Sequence, residues 1–145
     1  MFLATGCYSG YLPKAPGTWG SLVGIVLWVF LCQLPLLVYL CVVTVLFFVG
    51  AASAHAMEKI TNSSDPGLVV IDEIVGQLIT LSAAPCAPLP ALAGFVLFRF
   101  FDILKPAPVN WIDARIHGGL GIMLDDVVAG LYGLLGLNIG LWLLG

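Results

Sequence analysis

The sequence predicts an all-α membrane protein, a polytopic helical bundle with about five membrane-embedded helices. Of its 145 residues, 61% are hydrophobic and only 9% are charged, whereas about 25% are charged in an ordinary soluble domain. Mean hydropathy is +1.10. Because so few charges cannot cover the surface of a soluble domain, lipid must surround most of the chain. The length indicates one domain, residues 1–145.

Five apolar runs, separated by polar or proline-rich segments, predict the helices. They cover residues 21–34, 36–54, 68–84, 89–104 and 125–145. The second and fifth runs are long enough to cross the hydrocarbon core, which takes about 20 helical residues. The other three are shorter, so they are expected to tilt, to thin the bilayer or to stop partway.

The charged residues gather on one face of the predicted bundle. If every run crosses the membrane, segments 1–20, 55–67 and 105–124 lie on one face, and Pro35 and residues 85–90 lie on the other. All five Lys/Arg and all eight Asp/Glu then belong to the first face or to helix ends beside it. Because Lys and Arg are enriched on the cytoplasmic side of membrane proteins, this face is predicted to be cytoplasmic.

Four of the charged residues lie inside apolar runs, where an ionisable group is costly and usually marks a functional site. They are Asp72, Glu73, Arg99 and Asp102. Charges at helix ends are ordinary in membrane proteins. That alternative, however, explains neither these four residues nor the absence of charge on the opposite face.

Two acidic pairs, each predicted at the start of a helix, are the candidate metal ligands. Asp72 and Glu73 begin the third predicted helix, and Asp125 and Asp126 begin the fifth. The helix dipole explains one acid at such a position but not an adjacent pair. With Asp102 they form a set of oxygen ligands that repel one another unless a cation lies among them. Mg²⁺ suits this set because it combines one or two carboxylates with water and substrate phosphate.

Cationic side chains near the acids suit the oxygens of a phosphate. These are Arg99, Lys105 and Arg115. Arg99, Asp102 and Lys105 follow one another at three-residue spacing and share one side of a helix. An ion-pair ladder within that helix is the simpler alternative, and it is compatible with a site.

A glycine-rich turn and a histidine are weaker candidates. Gly17, Thr18 and Ser21 belong to a turn before the first helix, which could bind an anion or merely cap the helix. His117 could act as a general acid or base, and a solvated loop histidine is an equal alternative. Cys32 and Cys41 lie in apolar runs, and the four cysteines form no CxxC pair, so neither a disulfide framework nor a zinc site is expected. The sequence contains no basic patch that would indicate a nucleic-acid partner.

Four stretches together resemble the phosphatidylglycerophosphatase A family, in its membrane-bound branch. The stretches are PGTWGS at 16–21, DPGLVVIDEIVG at 65–76, FRFFDILKP at 98–106 and HGGLGIMLDDVVAG at 117–130. Their order and spacing agree with the family over nearly the whole chain. The combination is highly specific, although each stretch alone is not.

The resemblance implies a Mg²⁺-dependent enzyme that hydrolyses phosphatidylglycerophosphate to phosphatidylglycerol and inorganic phosphate. It implies an all-helical protein of the bacterial inner membrane, with its phospholipid substrate in the bilayer and its site facing the cytoplasm. The expected catalytic residues are Asp72, Glu73, Arg99, Asp102, Lys105, Asp125 and Asp126. The expected metal ligands are Asp72, Glu73, Asp125 and Asp126. The expected substrate-binding residues are Gly17, Thr18, Ser21, Asp65, Arg115 and His117.

Two functions of other classes are weighed against this hypothesis. A small ion transporter or Mg²⁺ channel would use the intramembrane carboxylates as a pathway. Few polar residues continue toward the opposite face, namely Gln33, Thr44, Gln77 and Thr80. A non-catalytic scaffold would not need clustered acids. For the enzyme, a metal-activated water is preferred to an aspartyl-phosphate, because nothing marks one Asp as the nucleophile.

Overall fold

The computed structural model describes residues 4–6, 8, 11, 16–63 and 69–145, and for Asp113 the backbone alone. Within these residues the chain forms six helices and no strand. They are α1 (Pro16–Leu31), α2 (Leu36–Thr61), α3 (Ile71–Thr80), α4 (Pro88–Leu104), α5 (Val109–Arg115) and α6 (Gly118–Leu144). The all-α prediction is confirmed.

The helices differ widely in length. Among those described, α2 and α6 are long and apolar enough to cross a membrane, with 26 and 27 residues. α1 and α4 have 16 and 17 residues. α3 has 10 residues and is therefore about 15 Å long. By length and composition α2 and α6 are candidate membrane spans, in agreement with the prediction that the second and fifth apolar runs are long enough to cross. α5 is a short helix in a segment that was expected to be a connection.

The short helix α3 lies at the centre of the bundle. Eight of its ten residues are buried, and it contacts α1, α2, α4 and α6. Glycines permit its close approach to α6, since a Cβ atom at Gly130 would lie 2.6 Å from the Gly76 carbonyl oxygen. A Cβ atom at Gly76 would in turn lie 2.9 Å from the Asp126 carbonyl oxygen. The acids of α3 and α6 are therefore brought together by backbone packing.

Side chains from α1 and α2 bind the carboxyl end of α3. A helix leaves its last four carbonyl groups without helical partners, and inside a bundle no bulk water reaches them. Trp28 Nε1 donates to the Leu81 carbonyl at 3.0 Å. The Tyr39 hydroxyl donates to the Leu78 carbonyl at 2.5 Å. These donors allow α3 to end inside the bundle after ten residues.

The two ends of the bundle differ in charge. We call the end formed by Pro16, Thr61, Ile71, Leu104 and Gly118 the charged end. The described charged side chains all belong to this half of the bundle: Glu58, Lys59, Asp72, Glu73, Arg99, Asp102, Lys105, Arg115, Asp125 and Asp126. The described helices therefore run in directions that bring the charged segments to one end of the bundle, as the sequence predicted.

A disulfide joins two helices at the opposite end. Cys32, just after α1, is bonded to Cys86, just before α4, and their Cα atoms lie 5.8 Å apart. The expectation that the chain has no disulfide was wrong. The two cysteines are separated by 54 residues, so no short motif marks the pair. They meet because α1 ends, and α4 begins, at the same end of the bundle.

Candidate active site

Three carboxylates from two helices meet near the charged end, and we call them the acidic triad. Asp72 and Glu73 come from α3 and Asp126 from α6, and one oxygen of each lies within 4.8 Å of the others. Asp72 is 9% exposed and Asp126 is 2% exposed. Within the described part of the chain, Asp72 Oδ1, Glu73 Oε2 and Asp126 Oδ2 have no hydrogen-bond partner. Buried carboxylates that close together repel, so the arrangement fits a bound cation.

The first turn of α3 positions two members of the triad. Asp72 and Glu73 lie in that turn, where the helix dipole favours negative charge. The amides of Val70 and Ile71 both donate to the Ala4 carbonyl, at 2.8 and 3.2 Å. The start of α3 is thus fixed by backbone from the beginning of the chain, and both acids are held at one depth.

The third member of the triad lies well inside α6. Asp125 and Asp126 were predicted to begin a helix, and this was wrong because α6 begins at Gly118. Asp126 therefore lies about 12 Å from the start of its helix. The fifth apolar run was predicted to start at Asp125. The helix continues toward its start through a glycine-rich segment, and Gly119 packs against the backbone of α2 at Ala51 and His55.

Asp125 has a different neighbour from Asp126. Successive residues of a helix point about 100° apart. Lys105 Nζ donates to Asp125 Oδ2 at 3.2 Å. Lys105 itself caps α4 in the left-handed region, with φ of 47°. Of the four predicted metal ligands, the described geometry groups Asp72, Glu73 and Asp126, while Asp125 links α6 to the end of α4.

A guanidinium group lies beside the triad, in space left open by Gly17, the second residue of α1. A Cβ atom at Gly17 would lie 2.8 Å from Arg99 Nη1 and 2.9 Å from Glu73 Oε1. Arg99 Nη1 also donates to Asp102 Oδ2 at 2.5 Å, and the two side chains are 17% and 13% exposed. The ion pair expected between Arg99 and Asp102 is therefore present. Lys105, the C-cap of α4, contacts Asp125 of α6.

The other predicted site residues lie in several environments. Thr18 is half-buried, whereas Ser21 is fully buried. Arg115 and His117 are exposed, and the structure describes no contact between them and the acidic triad. Asp65 lies outside the described residues. Gln77 is not among the predicted site residues. It is nevertheless fully buried and lies one helical turn beyond Glu73, a spacing that could have indicated it.

Comparison with known proteins shows the family of the chain. The family model described as Phosphatidylglycerophosphatase A matches residues 2–140. The chain belongs to this family. The phosphatidylglycerophosphatase A of Escherichia coli (strain K12) is 43% identical over 129 residues, which cover 88% of this chain and 75% of the relative. The protein of that name from Haemophilus influenzae is 42% identical over 132 residues, covering 90% of this chain and 81% of the relative.

A third relative carries a different substrate in its name. It is a Bacteroides thetaiotaomicron protein provisionally named phosphatidylinositol-3-phosphatase, 38% identical over an alignment of 153 residues that covers all of this chain and 95% of the relative. No solved structure matches the chain significantly. Membership of the phosphatidylglycerophosphatase A family confirms two predictions, namely the family itself and that the protein is an enzyme, a phosphatase.

Proposed function

We propose that this protein hydrolyses the phosphate monoester of phosphatidylglycerophosphate and releases phosphatidylglycerol and inorganic phosphate. The observation that carries the proposal is the acidic triad with Arg99 beside it, since carboxylates and a guanidinium in one buried site suit a divalent cation and a phosphate together. The choice of phosphatidylglycerophosphate as substrate rests on the names of the two relatives called phosphatidylglycerophosphatase A.

The triad fits Mg²⁺, because its carboxylate oxygens are hard ligands, are buried and in part lack hydrogen-bond partners. Asp72, Glu73 and Asp126 would hold the ion, and Asp125 is the remaining predicted ligand. When bound, Mg²⁺ supplies Lewis-acid polarisation of the phosphate and activation of water.

The protein's own groups orient the phosphate and move the proton. Arg99 binds phosphate oxygens, and Asp102 holds its guanidinium in place. The oxygen of water attacks phosphorus, the ester P–O bond breaks, and a carboxylate of the site accepts the proton of the water. The proton finally reaches the oxygen of the leaving alcohol, so that one water is consumed for each phosphate released.

We further propose that α1, α2, α3, α4 and α6 are embedded in the bacterial inner membrane, with the charged end in the cytoplasm. Large apolar side chains are exposed along the bundle, among them Phe30, Leu37 and Leu135. The described Lys/Arg residues belong to the charged end, namely Lys59, Arg99, Lys105 and Arg115. The disulfide between Cys32 and Cys86 at the opposite end supports the same orientation, because disulfides persist in the periplasm and are rare in the cytoplasm.

The direct test is phosphate release by protein purified in detergent. With phosphatidylglycerophosphate in mixed micelles and Mg²⁺ present, we expect turnover that EDTA abolishes and added Mg²⁺ restores. Folding is checked separately by circular dichroism and thermal melting. A folded protein that releases no phosphate from this lipid would refute the proposal.

Phosphatidylinositol 3-phosphate is a second candidate substrate, because the Bacteroides relative aligns with the whole chain. Both lipids are presented at the same mole fraction and compared by kcat/KM. A higher kcat/KM for the inositol lipid would show that the proposed headgroup is wrong, although the protein would still be a lipid phosphatase.

The transporter alternative is tested with the same protein in sealed vesicles. A transporter would carry Mg²⁺ across the vesicle membrane without releasing phosphate.

Gly17→Ala is expected to lower turnover by about 10-fold to 100-fold, with little change in stability. The added methyl group would displace the tips of two flexible side chains, Arg99 and Glu73, rather than backbone. The thermal midpoint should change by less than about 2 °C. Gly136→Ala is the matched control, since its Cβ atom would make only ordinary contacts, the nearest at 3.5 Å. Unchanged turnover in Gly17→Ala would show that the spacing of Arg99 and Glu73 does not matter.

A further inference from the structure

Two buried polar side chains outside the acidic triad lie where α1 packs on α3. Ser21 and Gln77 are both 0% exposed. Among the described residues, Ser21 Oγ and both polar atoms of the Gln77 amide have no hydrogen-bond partner. Buried polar groups in native proteins are almost always hydrogen-bonded, to protein or to bound water, so these atoms require partners that the apolar packing around them does not supply.

Gln77 lies one helical turn beyond Glu73, and Ser21 belongs to the part of α1 that packs beside these two residues. Gln77 follows Glu73 by four residues on the same face of α3. Along α1, a Cβ atom at Gly20 would lie 3.4 Å from Glu73 Cβ, and one at Gly24 would lie 3.0 Å from Gln77 Cβ. Ser21 is placed between these two glycines. The interface between α1 and α3, which we call the seam, therefore extends from Glu73 of the triad to Gln77.

The unpaired atoms in this seam are chemically complementary. The Ser21 hydroxyl and the Gln77 amide can donate hydrogen bonds. Glu73 Oε2 can only accept them, and it too is buried without a partner in the described structure.

We propose that Ser21 and Gln77 form a buried hydrogen-bonding network, completed by bound water, that positions the Glu73 carboxylate in the active site. The proposal rests on the phosphatase function proposed above. Mutation of a residue that hydrogen-bonds to a metal ligand and orients it typically lowers metal affinity or activity by about 10-fold to 100-fold. Ser21, first expected to bind substrate, is assigned instead to positioning, because it is fully buried.

Gln77→Leu and Ser21→Ala test the network. For Gln77→Leu we expect kcat to fall, and the Mg²⁺ concentration that gives half-maximal activity to rise, each by at least about 10-fold, with KM for the lipid unchanged. Binding of Mn²⁺ to the metal-free protein, followed by electron paramagnetic resonance, should weaken by a similar factor. Gln33→Leu, the same change at an exposed turn, should leave all these values at the wild-type level.

Thermal midpoints separate positioning from a purely structural role. Each single variant leaves a former partner unpaired and should melt below wild type, whereas the double variant removes both and should recover part of that loss. Its kcat and its Mn²⁺ affinity should stay low. Recovery of activity together with stability, or wild-type metal dependence in Gln77→Leu, would overturn the proposal. If the wild type hydrolyses neither lipid, the proposed function is wrong. The thermal midpoints and the Mn²⁺ affinities of the variants would still decide whether the network exists.

Discussion

Asp126→Asn is expected to reduce phosphate release by at least about 1,000-fold and to leave the protein folded. The side chain is 2% exposed and belongs to the acidic triad. The substitution keeps the shape of the residue and removes one negative charge from a group of repelling carboxylates. Without Mg²⁺ the variant should therefore melt at or above the temperature of the wild type. Turnover and metal-free melting of both proteins check this.

The effect of Mg²⁺ on melting provides an independent measurement for the same variant. A ligand that binds the folded state raises its stability, so Mg²⁺ should raise the thermal midpoint of the wild type and much less that of Asp126→Asn. Glu58→Gln is the matched control, since Glu58 is an acid of the charged end that faces His55 rather than the triad. An active Asp126→Asn protein, or one that Mg²⁺ stabilises as it does the wild type, would contradict the assigned role.

Gly119→Ala is expected to destabilise the protein by about 3 kcal/mol, because added volume in a packed interface forces backbone apart. A Cβ atom here would collide with the Ala51 carbonyl oxygen and lie 2.7 Å from the His55 nitrogen. Both are backbone atoms of α2, so no side chain can turn aside. Separation of α2 and α6 would also move Asp126 relative to α3. Thermal melting in detergent and phosphate release should both fall.

A second glycine of the same helix provides the control for that change. Beyond its chain neighbours and its own helix backbone, Gly140 has no atom within 4 Å of its Cβ position. Ala is also a better helix former than Gly. Gly140→Ala should therefore melt at or slightly above the wild-type temperature and keep full activity. Equal behaviour of the two variants would show that close packing at Gly119 does not hold α6 against α2.

Much of the architecture follows from composition and charge. Low charge content predicts a helical bundle in lipid, and the position of the charges predicts which helix ends lie together. The brevity of α3 does not follow, because the apolar run 68–84 contains no signal that stops the helix at Thr80. The residues that allow it to stop, Trp28 and Tyr39, belong to other helices and are distant in sequence.

The candidate site shows the same division between local and distant information. The acids could be predicted, because a carboxylate in an apolar run has few structural uses. The difference between Asp125 and Asp126 could not, since it depends on where α6 starts and on the reach of Lys105 from α4. The bond between Cys32 and Cys86 is likewise a consequence of helix direction rather than of spacing. Gln77 was overlooked because a single amide in an apolar helix does not indicate a site until the side chain is known to be buried.

The hydrogen bonds at the carboxyl end of α3 restrict how the enzyme can meet its substrate. With Trp28 and Tyr39 bound to its last carbonyls, α3 cannot slide toward the charged end without breaking both contacts. The depth of Asp72 and Glu73 is thus a constant of the fold. With the membrane orientation and lipid substrate proposed above, the headgroup therefore has to move to the level of these two acids before hydrolysis can begin.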